Sequence, residues 1–349
     1  MKILYGVQAT GNGHITRARA MNKSLIKNNI NVDYLFSGRE KEHFFDMEEF
    51  GNFSCRSGLT FVTNSGSIKP FKTFKKNSFS QLYRDIKQLD LSTYDLVLTD
   101  FEPIVAWAAK KQKKAVIAIG HQYAFDHDIP KRGNNFMARL FMQHFAPAPI
   151  RLGLHWHHFN QAILPPIAET HAYIEKPIDN KILVYLGFEN AERVINYLLP
   201  FTDQQFFIYG YFEKAEDMGH IQLRPLSREG FQKDLASCNG VIMNAGFELA
   251  SEAIHLGKKL LVKPLEGQME QLSNALALEQ LSLGMSMETL DSSILKKWLA
   301  GFSGKRVIYP SVPDAIVDWI LEGDWNNTES LADQLWSEVH SPDIENFAQ

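Results

Sequence analysis

The sequence predicts an α/β protein built as two doubly wound domains that face each other across a cleft. Three observations predict it. Short apolar runs alternate with helical periodicity through the first 120 residues; the pattern then degrades between about 125 and 180, and it restarts at "KILVYLGF" (181–188). Strands alternating with helices call for a parallel sheet with helices on both faces. Ligands of open α/β sheets bind beyond the carboxyl ends of the strands, so two such sheets put the site in the cleft between them.

The elements follow in order. "KILYGVQA" at the start is short, apolar and ended by glycines, as a buried strand is. "ITRARAMNKSLIKNN" carries Ile15, Ala18, Met21 and Leu25 on one helical face. "INVDYLFSG", "DLVLTD" and "KAVIAIG" are further strands, with the helix-like "PIVAWAAKKQ" between the last two. The stretch 125–180 is rich in Pro, His and aromatic residues, with "APAP" at 146–149 and "LPP" at 164–166. It reads as the end of one domain and a linker. The second run of alternation ends near 310, where "SVPDAIVDWILEG" is a helix. The expected units are therefore 1–165, a linker at 166–180, 181–320, and a helical tail at 321–349.

At 349 residues the chain is long enough for two or three domains, each with its own core. Its net charge of -4 gives no global push toward nucleic acid or membrane. The two cysteines, Cys55 and Cys238, make neither a disulfide framework nor a zinc site, which fits a reducing cytoplasm. No signal peptide is visible at the start, and no apolar run reaches the ~18–20 residues that span a bilayer. A cytoplasmic protein is expected.

The loop Gly11-Asn12-Gly13-His14 leads from the first strand into the first helix. Its glycines allow a tight turn and close approach to a ligand, and the helix start offers free N–H groups to an anion. Three readings compete. A phosphate-binding P-loop fails, since no Gly-Lys-Ser/Thr follows. The dinucleotide fingerprint fits at Gly11 and Gly13, but Thr16 stands where a third glycine belongs. Arg39, in Ser37-Gly38-Arg39 after the second strand, would suit a 2′-phosphate and leaves an NADP-dependent oxidoreductase open. In the third reading His14 is a general base, because histidine titrates near neutrality; the alternative is a capping or packing role. Asp100 ends a strand expected beside the first, so it rises next to His14, where a carboxylate would fix the imidazole tautomer. Asp100 could instead cap the helix that begins at Pro103, and Glu102 is a substitute partner.

The stretch "MNAGFELASEAIHLGKKLLVKPLEGQMEQLSNALALEQLSLG" (243–284) supplies a ligand site of its own. A strand runs into Asn244-Ala245-Gly246 and a helix opens, so a diphosphate can sit at that helix start. Glu252, two turns on, suits a ribose diol. Glu270 and Gln271 begin another helix, and an acid–amide pair suits sugar hydroxyls.

These motifs resemble those of GT-B glycosyltransferases, whose two Rossmann-like domains face a cleft. The chain is similar to the MurG-like N-acetylglucosaminyltransferases and the UDP-glycosyltransferases, and more so to a bacterial and archaeal group of predicted glycosyltransferases with "GNGH" near the start and "NAGFE…SEA…P…GQ.EQ..NA" in the second half. The resemblance covers about 1–320. It implies that Gly11, Gly13 and His14 form a cleft loop whose histidine deprotonates the acceptor. Gly246 with Phe247 and Glu248 would lie at the diphosphate, Glu252 would hold the ribose, and Glu270 and Gln271 would contact the donor sugar, with Asn274 more structural. Domain one would hold the acceptor and domain two the donor, most readily a UDP-sugar. A hexosyl or N-acetylhexosaminyl group would transfer with inversion, with no cofactor besides the nucleotide sugar and no metal. The departures are Gly187-Phe188-Glu189, where the family loop is rich in glycine and serine, and Phe247 and Glu248, where it has small or hydroxyl residues. A carboxylate beside phosphates repels them unless it turns away or takes a proton. Glu189 and Glu248 also keep open a sugar-nucleotide epimerase of the same architecture, and a non-catalytic sensor remains a further alternative.

Other constellations compete with plainer roles. His155 and His157 share a strand face as two metal ligands would, yet no third ligand follows at useful spacing. His121, in "AIGHQ" at a strand tip, is an acceptor-site candidate or a structural histidine. "KPFKTFKKNSF" (69–79) mixes lysine with phenylalanine, which suits an anionic membrane surface or nucleic acid, or else a solvated loop. "NFMARLFMQHF" (135–145) gathers Phe136, Leu140, Phe141 and Phe145 on one side, to cover the core or dip into lipid. Together they point to peripheral contact with the inner face of the plasma membrane and a glycan or lipid-linked acceptor. No nucleic-acid partner is expected.

Overall fold

The computed structural model describes residues 1–60, 63–64, 67–68, 77–133, 136–168, 176–345 and 347–348. Most of the lysine–phenylalanine segment (69–76) and the middle of the expected linker (169–175) lie outside the described residues.

The first half is a parallel sheet of β1 (Lys2–Gln8), β2 (Asn31–Ser37), β3 (Ser54–Arg56), β6 (Leu96–Asp100), β7 (Val116–Gly120) and β8 (Ile150–Gly153), in the order β3-β2-β1-β6-β7-β8. A separate hairpin pairs β4 (Thr63–Asn64) with β5 (Ser67–Ile68). Helices α1 (Asn12–Lys27), α2 (Phe79–Gln88), α3 (Pro103–Gln112) and α4 (Phe136–His144) lie between these strands in sequence. The reversal of strand order at β1 puts β6 beside it, with Val7 opposite Asp100. The tips that carry the first glycine loop and Asp100 are therefore neighbours.

The second half repeats the scheme. β9 (Ile178–Tyr185), α5 (Ala191–Leu198), β10 (Gln205–Gly210), β11 (Glu216–Met218), β12 (Ile221–Pro225), α6 (Arg228–Ser237), β13 (Cys238–Asn244), α7 (Phe247–His255), β14 (Lys259–Lys263), α8 (Met269–Gln280), β15 (Met285–Ser286) and α9 (Ser292–Gly301) follow in sequence. Their sheet runs β11-β12-β10-β9-β13-β14-β15, parallel except for the edge strand β11.

The chain then returns to the first half. α10 (Val312–Glu322) packs on α1, where the Ser24 hydroxyl donates to Asp314 at 2.6 Å and Lys27 pairs with the same carboxylate at 3.2 Å. In α11 (Thr328–Ser337) the Trp336 indole donates to the carbonyl of Ile163 at 2.6 Å. One buried apolar cluster accordingly runs through both halves, from Ile15 and Met21 to Phe247, Ile254 and Ile316. The described residues of 125–133 and 136–168, where the periodicity failed, are short in regular elements. They include α4, on which Phe136 stays exposed while Phe145, just beyond its end, packs on Phe101 at 4.8 Å.

The tips of β1 and β6 are held together by direct strand pairing, and α3 packs closely over β1. That close approach depends on Gly6, where a Cβ would lie 2.2 Å from Cγ2 of Val105. Gly6→Ala should cost about 1–3 kcal/mol of stability in urea denaturation, as overpacking does. Adding Val105→Ala should recover part of it, so that the double variant loses less than the sum of the singles. Strict additivity would mean that the two side chains do not compete for one space.

Candidate active site

Two helix starts face each other across the cleft. α1 begins after Gly11 and α7 after Gly246, and neither N-cap residue has a side chain that accepts from the first turn. Both helices therefore direct unsatisfied N–H groups and positive dipole ends toward the gap. Gly13 permits the approach: a Cβ there would lie 3.0 Å from Cγ of Glu248. A Cβ on Gly246 would project into open space, as the wall of a ligand site does.

Between these helix starts sits a buried charged cluster. His14 Nδ1 lies 2.7 Å from Asp100 Oδ1. Arg17 follows His14 by three residues and so shares its helix face. It donates from Nε to Asp100 Oδ2 at 2.7 Å and from Nη2 to Oδ1 at 2.6 Å, and its Nη1 donates to Glu248 of the other half. Arg17 Nη2 is also 3.0 Å from His14 Nδ1. Asp100 Oδ1 can only accept, so the shorter of the two contacts at Nδ1 assigns the imidazole proton there, with Arg17 Nη2 turned to the carboxylate. The second ring nitrogen, Nε2, is then left as an acceptor. Phe101, directly after Asp100, turns the strand end with φ of +52°, a conformation that non-glycine residues rarely adopt. It is held there by ring contacts with Tyr123 at 5.7 Å and Phe145 at 4.8 Å.

The electrostatics follow from one guanidinium serving two carboxylates. Burial alone would push Asp100 up, but Arg17 and then His14 hold it below the usual carboxylate range. Burial opposes the charged form of Arg17 too, yet Asp100 and Glu248 keep it charged, far above its ordinary value. Glu248 takes what is left: burial, helped by Asp100 and Glu270 and opposed by Arg17, pushes it up to about 7. Its second oxygen, Oε2, is buried and has no hydrogen-bond partner among the described residues.

The remaining candidates divide into those on the cleft and those behind it. Asn12, Gly13, Thr16, Tyr185, Phe231, Glu248 and Glu252 line a cleft of about 710 Å³ including its open mouth. Gly187 is exposed beside the Tyr185 ring. Glu270 accepts from Gln122 of the first half at 3.2 Å. Phe247 does not reach the ligand space. Its ring is buried and stacks on His121 at 4.0 Å and on Trp156 at 5.0 Å, so only its backbone faces the helix start. Gln271 turns its side-chain oxygen back to accept from the Leu265 N–H at 2.8 Å.

His121 departs from the expected acceptor wall. It is fully buried behind the cleft, with Nδ1 2.8 Å from the Leu154 carbonyl and Nε2 2.6 Å from Asn274 Oδ1. Asn274 in turn donates to the Ala245 carbonyl, so His121 braces the Asn244–Gly246 loop from behind. Burial lowers its basicity. Glu102 also belongs elsewhere. It caps α3 through the Val105 N–H at 2.7 Å and accepts from Ser37 at 2.6 Å, and burial pushes it up to about 7. His155 is buried among Trp156, Phe159 and His121, and burial holds it well below its ordinary value. Glu189 pairs with Lys263 at 2.7 Å. Glu189 is thus tied to a cation and does not stand free for the acid–base exchange that an epimerase requires.

Arg17, Tyr185, Phe231 and Gln122 escaped the sequence reading. For Arg17 the i+3 spacing from His14 was the available signal; Tyr185 and Gln122 stand at or just beyond strand ends but carry no motif.

A model of glycosyl transferase family 1 matches residues 1–302. Among solved structures the chain is similar to the glycotransferase of kitacinnamycin, at 13% identity over 96% of this chain and 98% of that one, with a TM-score of 0.59. It is similar to Arabidopsis thaliana UGT89C1 complexed with UDP-L-rhamnose, at 13% identity over 96% and 98% and a TM-score of 0.58. It is similar also to Acinetobacter baumannii MurG, at 14% identity over 96% and 99% and a TM-score of 0.54. At such identities the likeness is one of fold, the two-domain GT-B architecture. No curated protein matches the sequence.

The two buried glutamates make stability depend on pH. A carboxyl near 7 in the folded chain and near its ordinary ~4.5 when unfolded holds a proton that the unfolded chain releases between those values. The glutamates' contribution to stability therefore falls as pH rises from about 4.5 to about 7. Buried His121 and His155, whose basicity burial lowers, act in the opposite sense over the same interval. The glutamate contribution is read from the variants: Glu102→Gln and Glu248→Gln should each make the change in urea midpoint from pH 5 to pH 8 more positive than it is in the wild type. A change that stays at the wild-type value in both variants would reverse the assignment.

Proposed function

We infer the reaction from one premise: the chain belongs to glycosyl transferase family 1. It is a glycosyltransferase, and its donor is a nucleotide sugar. The observation that carries the mechanism is the His14–Asp100 contact of 2.7 Å beside the uncapped start of α7.

In this mechanism an acceptor hydroxyl gives its proton to His14 Nε2. Asp100 holds the imidazole in the required tautomer and supports the imidazolium that forms. The acceptor oxygen bonds to the anomeric carbon from one side. The bond from that carbon to the diphosphate oxygen breaks on the other, and its electron pair leaves with the nucleoside diphosphate. The anomeric centre inverts. Backbone N–H groups and the dipole at the start of α7 take up the charge that develops on the leaving group, a role that a metal serves elsewhere. Glu252 suits the ribose diol, and Glu270 a hydroxyl of a hexose or N-acetylhexosamine. The UDP-L-rhamnose bound by a protein of the same fold makes UDP the first nucleotide to test.

The first half would receive the acceptor. Phe136, Leu140 and Phe141 on α4, and Phe79 and Tyr83 on α2, are apolar residues exposed on that half. They suit a lipid-linked or cell-envelope acceptor met at a membrane surface, and no helix among the described residues is long and apolar enough to cross one.

Calorimetry with UDP, dTDP, GDP and CDP, in the presence of EDTA, should find one nucleotide bound tightly by the wild type and weakly by Glu252→Ala. With that donor, His14→Ala should lower kcat by about 10²–10⁴ with nucleotide affinity within about twofold. Asp100→Asn should lower kcat by up to about 10⁴. The product should carry the inverted anomeric configuration by NMR. Full turnover in His14→Ala, or a retained configuration, would remove His14 from the role of base.

A further inference from the structure

Arg39, which the sequence offers as a partner for a 2′-phosphate, is a cation beside the cleft that the mechanism above has not used. It follows β2 of the first half and reaches over the loop toward the second. Its Nη1 donates to Asn12 Oδ1 at 2.9 Å, and its Nη2 to the Thr10 carbonyl at 3.4 Å. Asn12 donates onward to the hydroxyl of Tyr185, at the end of β9 in the other half, at 3.3 Å. The guanidinium also lies 5.6 Å from the Phe44 ring centre.

Its partners set it apart from the other cleft cations. Arg17 is saturated by Asp100 and Glu248, Arg19 and Arg228 face Glu49 at 3.0 and 3.4 Å, and Lys263 is held by Glu189. Among the described residues Arg39 has amide and carbonyl acceptors but no carboxylate, although it is largely removed from water. Burial accordingly weakens its hold on the proton. A desolvated guanidinium with only neutral acceptors is a ready partner for an anion.

The position indicates which anion. Asn12 starts α1, Gly13 beside it abuts Glu248 of α7, and the Tyr185 ring lies 3.8 Å from a Cβ placed on Gly187. Arg39 is thus joined through Asn12 and Tyr185 to the side of the cleft that carries the Gly187 loop, which is itself linked to the Asn244–Gly246 turn by the Phe188 N–H to Asn244 Oδ1 contact at 3.4 Å. Those loops contain Phe188 and Glu189 but no unpaired cation. We propose that Arg39, with Asn12, is a further donor-contacting residue: its guanidinium takes a phosphate oxygen of the nucleoside diphosphate from across the cleft. This rests on the nucleotide-sugar reading above. The leaving diphosphate then lies between a helix start of one half and an arginine of the other, and binding it draws the halves together.

The test uses UDP, uridine and inorganic pyrophosphate with the full-length wild type, Arg39→Ala and Arg39→Lys, by calorimetry, with thermal melting to verify folding. Arg39→Ala should weaken UDP and pyrophosphate at least about tenfold and leave uridine within about twofold, as loss of a charge-assisted bond does; Arg39→Lys should recover part of the loss. UDP and pyrophosphate affinities unchanged in a folded Arg39→Ala overturn the proposal. If UDP binding holds while turnover with an anionic acceptor falls, the anion belongs to the acceptor, and the donor assignment is overturned. A wild type that binds pyrophosphate through Arg39 but none of the nucleoside diphosphates sinks the nucleotide-sugar reading and leaves the anion subsite standing. A wild type that binds neither overturns both.

Discussion

A single buried guanidinium organises the cleft. Arg17 holds both oxygens of Asp100 on its own half and reaches Glu248 on the other. Removing one member of such a buried network leaves an unpaired charge, which costs about 3–5 kcal/mol. The strand tips, the histidine tautomer and the docking of the two halves therefore depend on one another. Gly13 is part of the same constraint, because the Arg17–Glu248 contact requires α1 and α7 to approach within the space a methyl group would fill.

The same arrangement accounts for the residues that depart from the family pattern at the diphosphate. Glu248 lines the cleft but is paired with Arg17 in the charged cluster, and Phe247 is turned into an aromatic stack with His121 and Trp156. Both side chains serve the contact between halves, and the helix start keeps only backbone N–H groups for a ligand. Glu189 is neutralised by Lys263. The electrostatic objection to carboxylates beside phosphate is met by pairing, without loss of the positive helix end.

Sequence periodicity was enough to reveal both sheets, because buried parallel strands are short continuous apolar runs and their helices are amphipathic. The adjacency of His14 and Asp100 was legible for a topological reason: a doubly wound sheet reverses at its first strand. What was not legible depends on docking. That Arg17 turns inward, that Gln271 folds back on Leu265, and that His121 sits behind the donor loop between Leu154 and Asn274 are all fixed by residues 6 to more than 200 positions away. A histidine at a strand tip looks alike in sequence whether its tip faces solvent or the other half. Only the second half's Asn274 and Phe247 distinguish the two cases. The tail was half legible: its helices are periodic, but nothing in their pattern says that they return to α1 and Ile163.

Charge balance gives the cluster a further consequence during turnover. At rest, Arg17 offsets Asp100, and Glu248 lies near the midpoint of its titration at neutral pH. In the proposed mechanism a second positive charge appears beside Asp100 when His14 takes the acceptor proton. The partner within reach is Asp100 itself, 2.7 Å away, which Arg17 and His14 hold below the usual carboxylate range. Arg17 in turn is held across the cleft by Glu248, so the counter-ion of the imidazolium depends on the contact between the halves.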